Sequence, residues 1–293
     1  MTGAGRGLGR THALALAERG AKVVVNELKE ADASTTAEEI ASAGGEAMAC
    51  GANVADESQV ADMVARTMDR WGRVDILVNN AGLLRDKTFA KMSMDDFRLV
   101  IDVHLMGGAY CTKAVWEIMR EQKYGRVIFT TSSSGLYGNF GQSNYGAAKM
   151  GVVGLMNTLH LEGEKYDIRV NCLAPAAGTV MTEDLFPSVV FDRLTPESVS
   201  PGVVFLAGPD APSRVVLAAG GGAFAVYKGF ETNGLNLLPN DLSPEGIAAA
   251  WDTITDETKM RQFASGPEQA TKFAKKNMAK IGSILISKLG IKT

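Results

Sequence analysis

Short apolar runs and longer segments of helical periodicity alternate along the chain, the pattern of a parallel sheet with helices packed on both faces. Runs such as Arg126-Val-Ile-Phe-Thr-Thr131 are apolar at successive positions and predict strands buried on both sides. Strands are expected at Lys22–Asn26, Glu46–Ala52, Asp75–Asn79, Arg126–Thr131, Ile168–Leu173 and Val215–Ala219. Helices are expected between them, at Leu8–Arg19, Ala31–Ala43, Glu57–Trp71, Met94–Glu121, Asn144–Tyr166 and Pro196–Ala207. The polar stretch Glu27–Glu38 and the pair Gly44-Gly45 separate elements rather than domains, and neither a repeat nor a low-complexity segment interrupts the pattern. The fold class is α/β.

Composition narrows the function classes. A chain of 293 residues with 46% hydrophobic residues has material for one large core and an appendage. Net charge is −3, and lysines and arginines are dispersed through most of the chain, so no nucleic-acid partner is expected. No apolar run approaches the roughly 20 residues that cross a bilayer, and the first residues lack a signal-peptide pattern. Cys50, Cys111 and Cys172 lie far apart in apolar surroundings and read as small buried hydrophobes in a reducing compartment. No Cys or His stands at ligand spacing, so no metal is expected. A cytoplasmic protein follows from these features.

The candidate chemistry begins at Ser143-Asn-Tyr-Gly-Ala-Ala-Lys149, where four residues of spacing put Tyr145 and Lys149 on one helix face, about one turn apart. A free phenol has a pKa near 10, and a cation fixed beside it favours the phenolate. Ser132 ends a predicted strand thirteen residues earlier and supplies a hydroxyl. In Thr2-Gly-Ala-Gly-Arg-Gly-Leu-Gly9, glycines precede a predicted helix whose N-terminus offers free N–H groups to a pyrophosphate. Glu27 closes Val23-Val-Val-Asn-Glu27, placed to accept hydrogen bonds from ribose hydroxyls and to repel a 2′-phosphate, which favours NAD. Arg6 and Lys29 are cations able to partner a 2′-phosphate.

These segments, together with Asn79-Asn-Ala-Gly82 after a predicted strand, resemble the short-chain dehydrogenase/reductase family over residues 1 to about 225. The resemblance implies a doubly wound, Rossmann-type parallel sheet and a hydride transfer between NAD and a secondary alcohol or ketone. It makes Tyr145 the general acid/base and Ser132 the oxyanion donor. Lys149 would lower the tyrosine pKa and hold the nicotinamide ribose. Gly3, Arg6, Gly7, Leu8 and Gly9 form the nucleotide loop, Asn53 and Val54 border adenine, and Asn80, Ala81 and Gly82 border the cofactor. Pro175 opens Pro175-Ala-Ala-Gly-Thr-Val-Met-Thr182, with Thr182 a candidate for the carboxamide or phosphate. This segment departs from the commoner P-G-x-x-x-T. His104 stands where the family has a fourth catalytic residue, an asparagine on a distorted helix.

Asp102-Val-His-Leu105, Tyr137-Gly-Asn-Phe-Gly-Gln142 and the Pro175 segment together resemble the (3R)-hydroxyacyl-CoA dehydrogenase unit of type 2 multifunctional β-oxidation enzymes. In that branch an S/T-P-E segment ending in tryptophan follows the dehydrogenase core of a homodimer, and here about 70 residues continue past Gly220-Gly-Gly222 and include Leu242-Ser-Pro-Glu to Trp251. Residues 226–293 are therefore expected to form a partly helical extension, with Ser243 as N-cap and Pro244 in the first turn. The substrate implied is an acyl-CoA, and the partner implied is a second copy of the chain. An NADPH-dependent 3-ketoacyl thioester reductase is the alternative.

Two segments stand outside this reading. The family carries a first strand before Thr-Gly, and here Met1 alone precedes Thr2. The expectation is that the natural reading frame begins upstream, and that the chain as written exposes two strand edges and binds cofactor weakly, or is a non-catalytic dimerising fragment. The tail from Pro267 to Thr293 carries six lysines around Phe273, Ile281, Ile284, Leu285 and Leu289, the pattern either of a docking helix with a solvated lysine face or of a basic helix meeting phosphates. Ser287-Lys-Leu289 is internal and is not expected to act as a peroxisomal address.

Overall fold

The apolar runs become seven strands and the periodic segments become the helices around them in the computed structural model, which describes residues 1–177 and 193–276. The strands are β1 (Val23–Glu27), β2 (Ala47–Gly51), β3 (Ile76–Asn79), β4 (Gly125–Thr130), β5 (Ile168–Pro175), β6 (Val216–Gly220) and β7 (Ala223–Tyr227). The helices of this part are α1 (Gly7–Ala17), α2 (Glu30–Ser42), α3 (Glu57–Trp71), α4 (Met94–Ile101), α5 (Gly107–Gln122), α6 (Ser133–Tyr137), α7 (Ser143–Gly163) and α8 (Ser200–Ala207). Met1–Tyr227 form one compact unit and Lys228–Thr293 a second.

All strand pairs but one are parallel, as the crossover helices require. They form two sheets, β1-β2 and β3-β4-β5-β6-β7. Met1 and Thr2 lie between β1 and β3: the Thr2 amide donates to Val78 O (3.0 Å), the Asn26 amide to Met1 O (3.1 Å) and the Ala4 amide to Asn26 O (2.9 Å). The Asn26 side chain, buried beneath, donates to Cys50 O and Ala52 O and ties β1 to the end of β2.

Alternation along the strands divides the core. Val127 and Phe129 of β4 and Val170 and Cys172 of β5 pack with Cys111, Val115 and Met119 of α5 and Val152 and Met156 of α7. Ile128 and Leu173 point to the opposite face, against Leu16, Ile40, Val203 and Leu206 of α1, α2 and α8. The three cysteines are free and buried, and burial pushes each thiol pKa up, that of Cys111 to about 12.

Four local features differ from the sequence reading. The helix foreseen over Met94–Glu121 is interrupted by a π turn, Asp102–Met106, where one extra residue per turn swings His104 inward. Helix α7 ends at Gly163 and passes into a 3₁₀ turn, Glu164–Tyr166. The residues after Ser132 form a short helix of their own, α6, which Ser132 caps. Strand β7 returns antiparallel to β6 through Gly221 and Gly222, both at positive φ, and leaves Phe224 and Val226 about half exposed.

In the second unit, Ser243 caps α9 (Pro244–Ala249) by accepting from the Gly246 amide (3.0 Å), as its sequence indicates, and α10 (Trp251–Ile254) follows. Residues 266–276 are helical. Lys272 does not belong to a solvated face: it is buried, with Nζ 2.7 Å from Glu231 and 2.6 Å from Thr232 O. The remainder of the lysine-rich tail, including Ser287–Leu289, lies outside the described residues, as does Thr182.

Arg126 is the largest fully buried side chain, and its guanidinium donates to the carbonyls of Gly125, Asp167, Gly208 and Pro209 and to the Asp167 carboxylate. Arg126→Ala removes five donor contacts from a buried place and is expected to cost about 3 kcal/mol in urea unfolding, while kcat per folded molecule stays unchanged because the residue lies at the opposite end of β4 from Ser132.

Candidate active site

The C-terminal ends of β1, β3, β4 and β5 face the glycine loop, the position where open parallel sheets receive nucleotides. Gly3 and Gly7 adopt positive φ (60° and 53°), which turns the loop sharply into α1. Gly9 is closed to any side chain, since a Cβ there would lie 1.9 Å from Gly3 O and 2.6 Å from Asn80 Nδ2. The N-terminus of α1 has no capping side chain: Arg6 holds the N-cap position with extended backbone, and no acidic residue stands in the first turn. Uncapped N–H groups at a helix N-terminus behind a glycine loop suit a pyrophosphate. A dinucleotide therefore fits these residues.

Glu27 leaves β1 beneath this loop and its carboxylate accepts from the Gly5 amide (3.1 Å). Arg6 and Lys29 are exposed nearby in sequence. Asn53 accepts through its side-chain oxygen from the Ala55 amide (3.0 Å), and Val54 is buried against Gly107.

Thr2, which sequence reasoning passed over, organises the loop after β3. Its hydroxyl accepts from the amides of Asn80 (3.0 Å) and Ala81 (3.1 Å), while Asn80 Nδ2 donates to Thr2 O and Gly3 O. Gly82 leaves room for His104, whose Cε1 would be 2.3 Å from a Cβ at that position. The His104 Nε2 sits 2.8 Å from Leu83 O and 3.1 Å from Leu83 N, and its ring stands edge-on to Tyr145 with centroids 5.1 Å apart. Burial, then the nearby Lys149 charge, holds the His104 pKa well below the usual imidazole range. His104 is thus a neutral, packed ring. Its Nδ1 is buried without a partner in the structure.

Helix α7 presents Tyr145 and Lys149 one turn apart, and Ser132 stands near enough to the phenol to lower its pKa. The Ser132 hydroxyl also accepts from the Ser134 amide (3.2 Å). Lys149 Nζ lies 5.5 Å from the Tyr145 ring centroid and donates to Thr130 O (2.6 Å), and Thr131 Oγ1 donates to Lys149 O (2.6 Å). The charge logic differs from the sequence expectation. Burial raises the Tyr145 pKa, against the lowering effect of Ser132, and Asp86 adds to the rise. Lys149 is pushed down to about 7 by burial. Desolvation is the first cause of both shifts, which the Y-x-x-x-K spacing could not reveal.

The structure thus brings Ser132, Tyr145, Lys149 and His104 together beside the loop that carries Asn80–Gly82, and Pro175 ends β5. Among the described residues no cluster of three or more His, Cys, Asp or Glu side chains could hold a metal, and no helix is long and apolar enough to cross a membrane. A cleft of about 550 Å³ between α1 and α8, lined by Arg10, Leu14, Arg19 and Phe205, lies apart from these groups.

The sequence pattern of the family described as short chain dehydrogenase matches residues 1–188. A short-chain type dehydrogenase/reductase of Mycobacterium tuberculosis is 47% identical over 266 residues, covering 87% of this chain and 93% of that protein. The peroxisomal multifunctional enzyme type 2 of Drosophila melanogaster is 41% identical over 279 residues, covering 90% of this chain. The chain spans 46% of that enzyme's length. The solved full-length structure of the fly enzyme superposes with a TM-score of 0.81 at 37% identity, covering 94% of this chain and 48% of that one. A 3-oxoacyl-[acyl-carrier-protein] reductase of Synechocystis is 43% identical over 223 residues, covering 73% of this chain and 90% of that protein.

The depressed Lys149 pKa makes stability depend on pH. The unfolded chain keeps the proton to about 10.5 and the folded protein releases it near 7, so the unfolded state binds more protons across that window and stability rises with pH through it. Below pH 7 the buried cation is a full penalty. Lys149→Met is expected to make stability rise less with pH between about 7 and 9 and to be more stable than wild type at pH 6 by on the order of 1–2 kcal/mol, measured by urea unfolding without cofactor.

Proposed function

Because the chain belongs to the short-chain dehydrogenase family, we propose that it is an NAD-dependent oxidoreductase interconverting (3R)-hydroxyacyl-CoA and 3-oxoacyl-CoA esters. The observation that carries the chemistry is the grouping of Tyr145 with a buried Lys149, whose Nζ lies 5.5 Å from the phenol ring, and with Ser132 at the end of β4, beside a loop that leads into an uncapped helix N-terminus. A nicotinamide dinucleotide held there supplies the hydride acceptor or donor. Tyr145 gives its proton to the carbonyl oxygen in reduction and takes it back in oxidation. Ser132 donates to the oxygen as charge develops on it, a preorganised contact commonly worth about 3 kcal/mol.

Lys149 holds the nicotinamide ribose and offsets the charge on Tyr145 when the phenolate forms. The high Tyr145 pKa favours the protonated phenol, the form a reductive direction requires. His104, neutral and edge-on to Tyr145, is the fourth member of the group. On the cofactor side Gly3, Arg6, Gly7, Leu8 and Gly9 receive the pyrophosphate, Glu27 the adenosine ribose, and Asn80, Ala81, Gly82 and Pro175 border the nicotinamide half.

The substrate class rests on likeness to the fly multifunctional enzyme and on Asp102–Leu105 and Tyr137–Gln142, which it shares in pattern with that branch. The Synechocystis reductase favours the second reading, an NADPH-dependent 3-ketoacyl thioester reductase, with Arg6 and Lys29 as the exposed cations for a 2′-phosphate. A second copy of the chain is the proposed partner, and the half-exposed Phe224 and Val226 of β7 supply an edge for it. The three free, buried thiols support a reducing compartment, and we place the protein in the cytoplasm.

Tyr145→Phe is expected to lower kcat at least about 10²-fold with dinucleotide affinity close to wild type, because the change deletes the proton donor and little else. In the same assay the wild-type protein should oxidise 3R esters and leave the 3S series nearly untouched. Equal rates on the two enantiomers, followed by nicotinamide absorbance, would refute the substrate assignment.

NAD is expected to bind at least about tenfold more tightly than NADP, equivalent to roughly 1.4 kcal/mol. Glu27→Ala should narrow that ratio in a fluorescence titration. A preference of the wild-type protein for NADP would move the reductase reading ahead.

A further inference from the structure

Between the cofactor loop and the catalytic helix runs the segment 79–88, and three separate sets of bonds hold it. Its start is fixed by Thr2 through the amides of Asn80 and Ala81, and its middle by His104 through Leu83. Its far end is fixed to the residues that open α7. Asp86 Oδ2 accepts from Gln142 Nε2 (2.7 Å), Arg85 O from Asn144 Nδ2 (3.0 Å), and Gly141 O from the Lys87 amide (2.9 Å).

Gln142 is the hub of this third set. It is only 5% exposed, although it is a polar residue immediately before α7. Its Oε1 accepts from Ser134 Oγ (2.8 Å) and Asn139 Nδ2 (3.0 Å), which occupies both lone pairs, while Nε2 donates to the Asp86 carboxylate. Turning the amide over would set Oε1 against that carboxylate, so one orientation is selected. Through Ser134, whose amide donates to Ser132 Oγ, the same hub reaches Ser132, and through Leu83 and His104 the segment reaches the Tyr145 ring.

We infer that Gln142 is a positioning residue for the reaction: paired with Asp86, it clamps the loop after β3 onto the start of the catalytic helix and sets Ser132 and Tyr145 relative to the substrate carbonyl. The inference rests on the dehydrogenase reading of this site. It predicts a split effect, because the dinucleotide end of the loop is held independently by Thr2. Loosening the clamp lowers kcat and leaves dinucleotide Kd within about twofold, since a displacement of about 1 Å at a reacting group is enough to cost up to 10²-fold.

The test exchanges the two partners. Gln142→Glu sets one carboxylate against another and should lower kcat at least about tenfold, with faster hydrogen exchange at the amides of 83–88. Asp86→Asn alone should lower kcat less than Gln142→Glu does, because Asn can still accept from Gln142. Asp86→Asn combined with Gln142→Glu restores amide-to-carboxylate pairing with the polarity reversed, and a carboxylate at position 142 still accepts from Ser134 and Asn139. This double variant should recover to within about threefold of wild-type kcat and regain the wild-type exchange rate. A double variant no better than Gln142→Glu alone overturns the inference, as does a Gln142→Ala protein with unchanged kcat and exchange. If the wild-type protein turns over no hydroxyacyl thioester, the substrate assignment falls, and hydrogen exchange in the same variants decides the clamp.

Discussion

A strand in a parallel sheet is satisfied from both sides, and between β1 and β3, which lie in separate sheets, Met1, Thr2 and Ala4 supply part of that pairing. Thr2 is the joint. Its backbone binds β3 through Val78, its chain neighbours bind β1 through Asn26, and its hydroxyl gathers the Asn80 and Ala81 amides. The glycine loop starts from this joint, so the position of the cofactor site depends on the contact that links the two sheets. Gly9 packed on Gly3 O and Glu27 bonded to the Gly5 amide continue the same arrangement into α1 and back to β1.

On the other side of the site the constraint is desolvation. Lys149 is enclosed beside Thr130 O, and His104 is packed between Gly82 and Tyr145. Both are kept toward the neutral form by burial. A site built in this way responds strongly to any charge that enters it, because little water remains to screen the response. In the proposed reaction, a phenolate on Tyr145 or a pyrophosphate at α1 would change the balance for every group at once.

The residues proposed to act on bound molecules were legible in the chain because their spacing is local: glycines before a helix, a tyrosine four residues before a lysine, a serine at a strand end. The alternation of strands and helices was legible for the same reason, and most boundaries agree within one or two residues. The π turn was legible only through the family resemblance, which sets His104 on a distorted helix, because the apolar periodicity of Met94–Glu121 continues through it and His104 fits against Gly82, more than twenty residues away. Strand β7 lacks the polar alternation of a one-sided strand. Thr2, Asp86 and Gln142 bond across 56 to 79 residues of sequence, and nothing near them in the chain marks the partner. Lys272 illustrates the same limit in the second unit, where among the described residues of the tail it is the buried lysine.

The three buried thiols have a use that follows from where they sit. Cys50 lies on the two-stranded sheet, Cys172 on the five-stranded sheet near Lys149, and Cys111 on α5 in the core that both sheets share. Each is shielded and held in its unreactive protonated form, so an alkylating reagent reaches it only when the surrounding structure opens. The chain therefore carries three internal clocks. The order in which they are modified records which sheet parts first, and a dinucleotide that binds across the joint at Thr2 slows the clock on whichever side it holds closed.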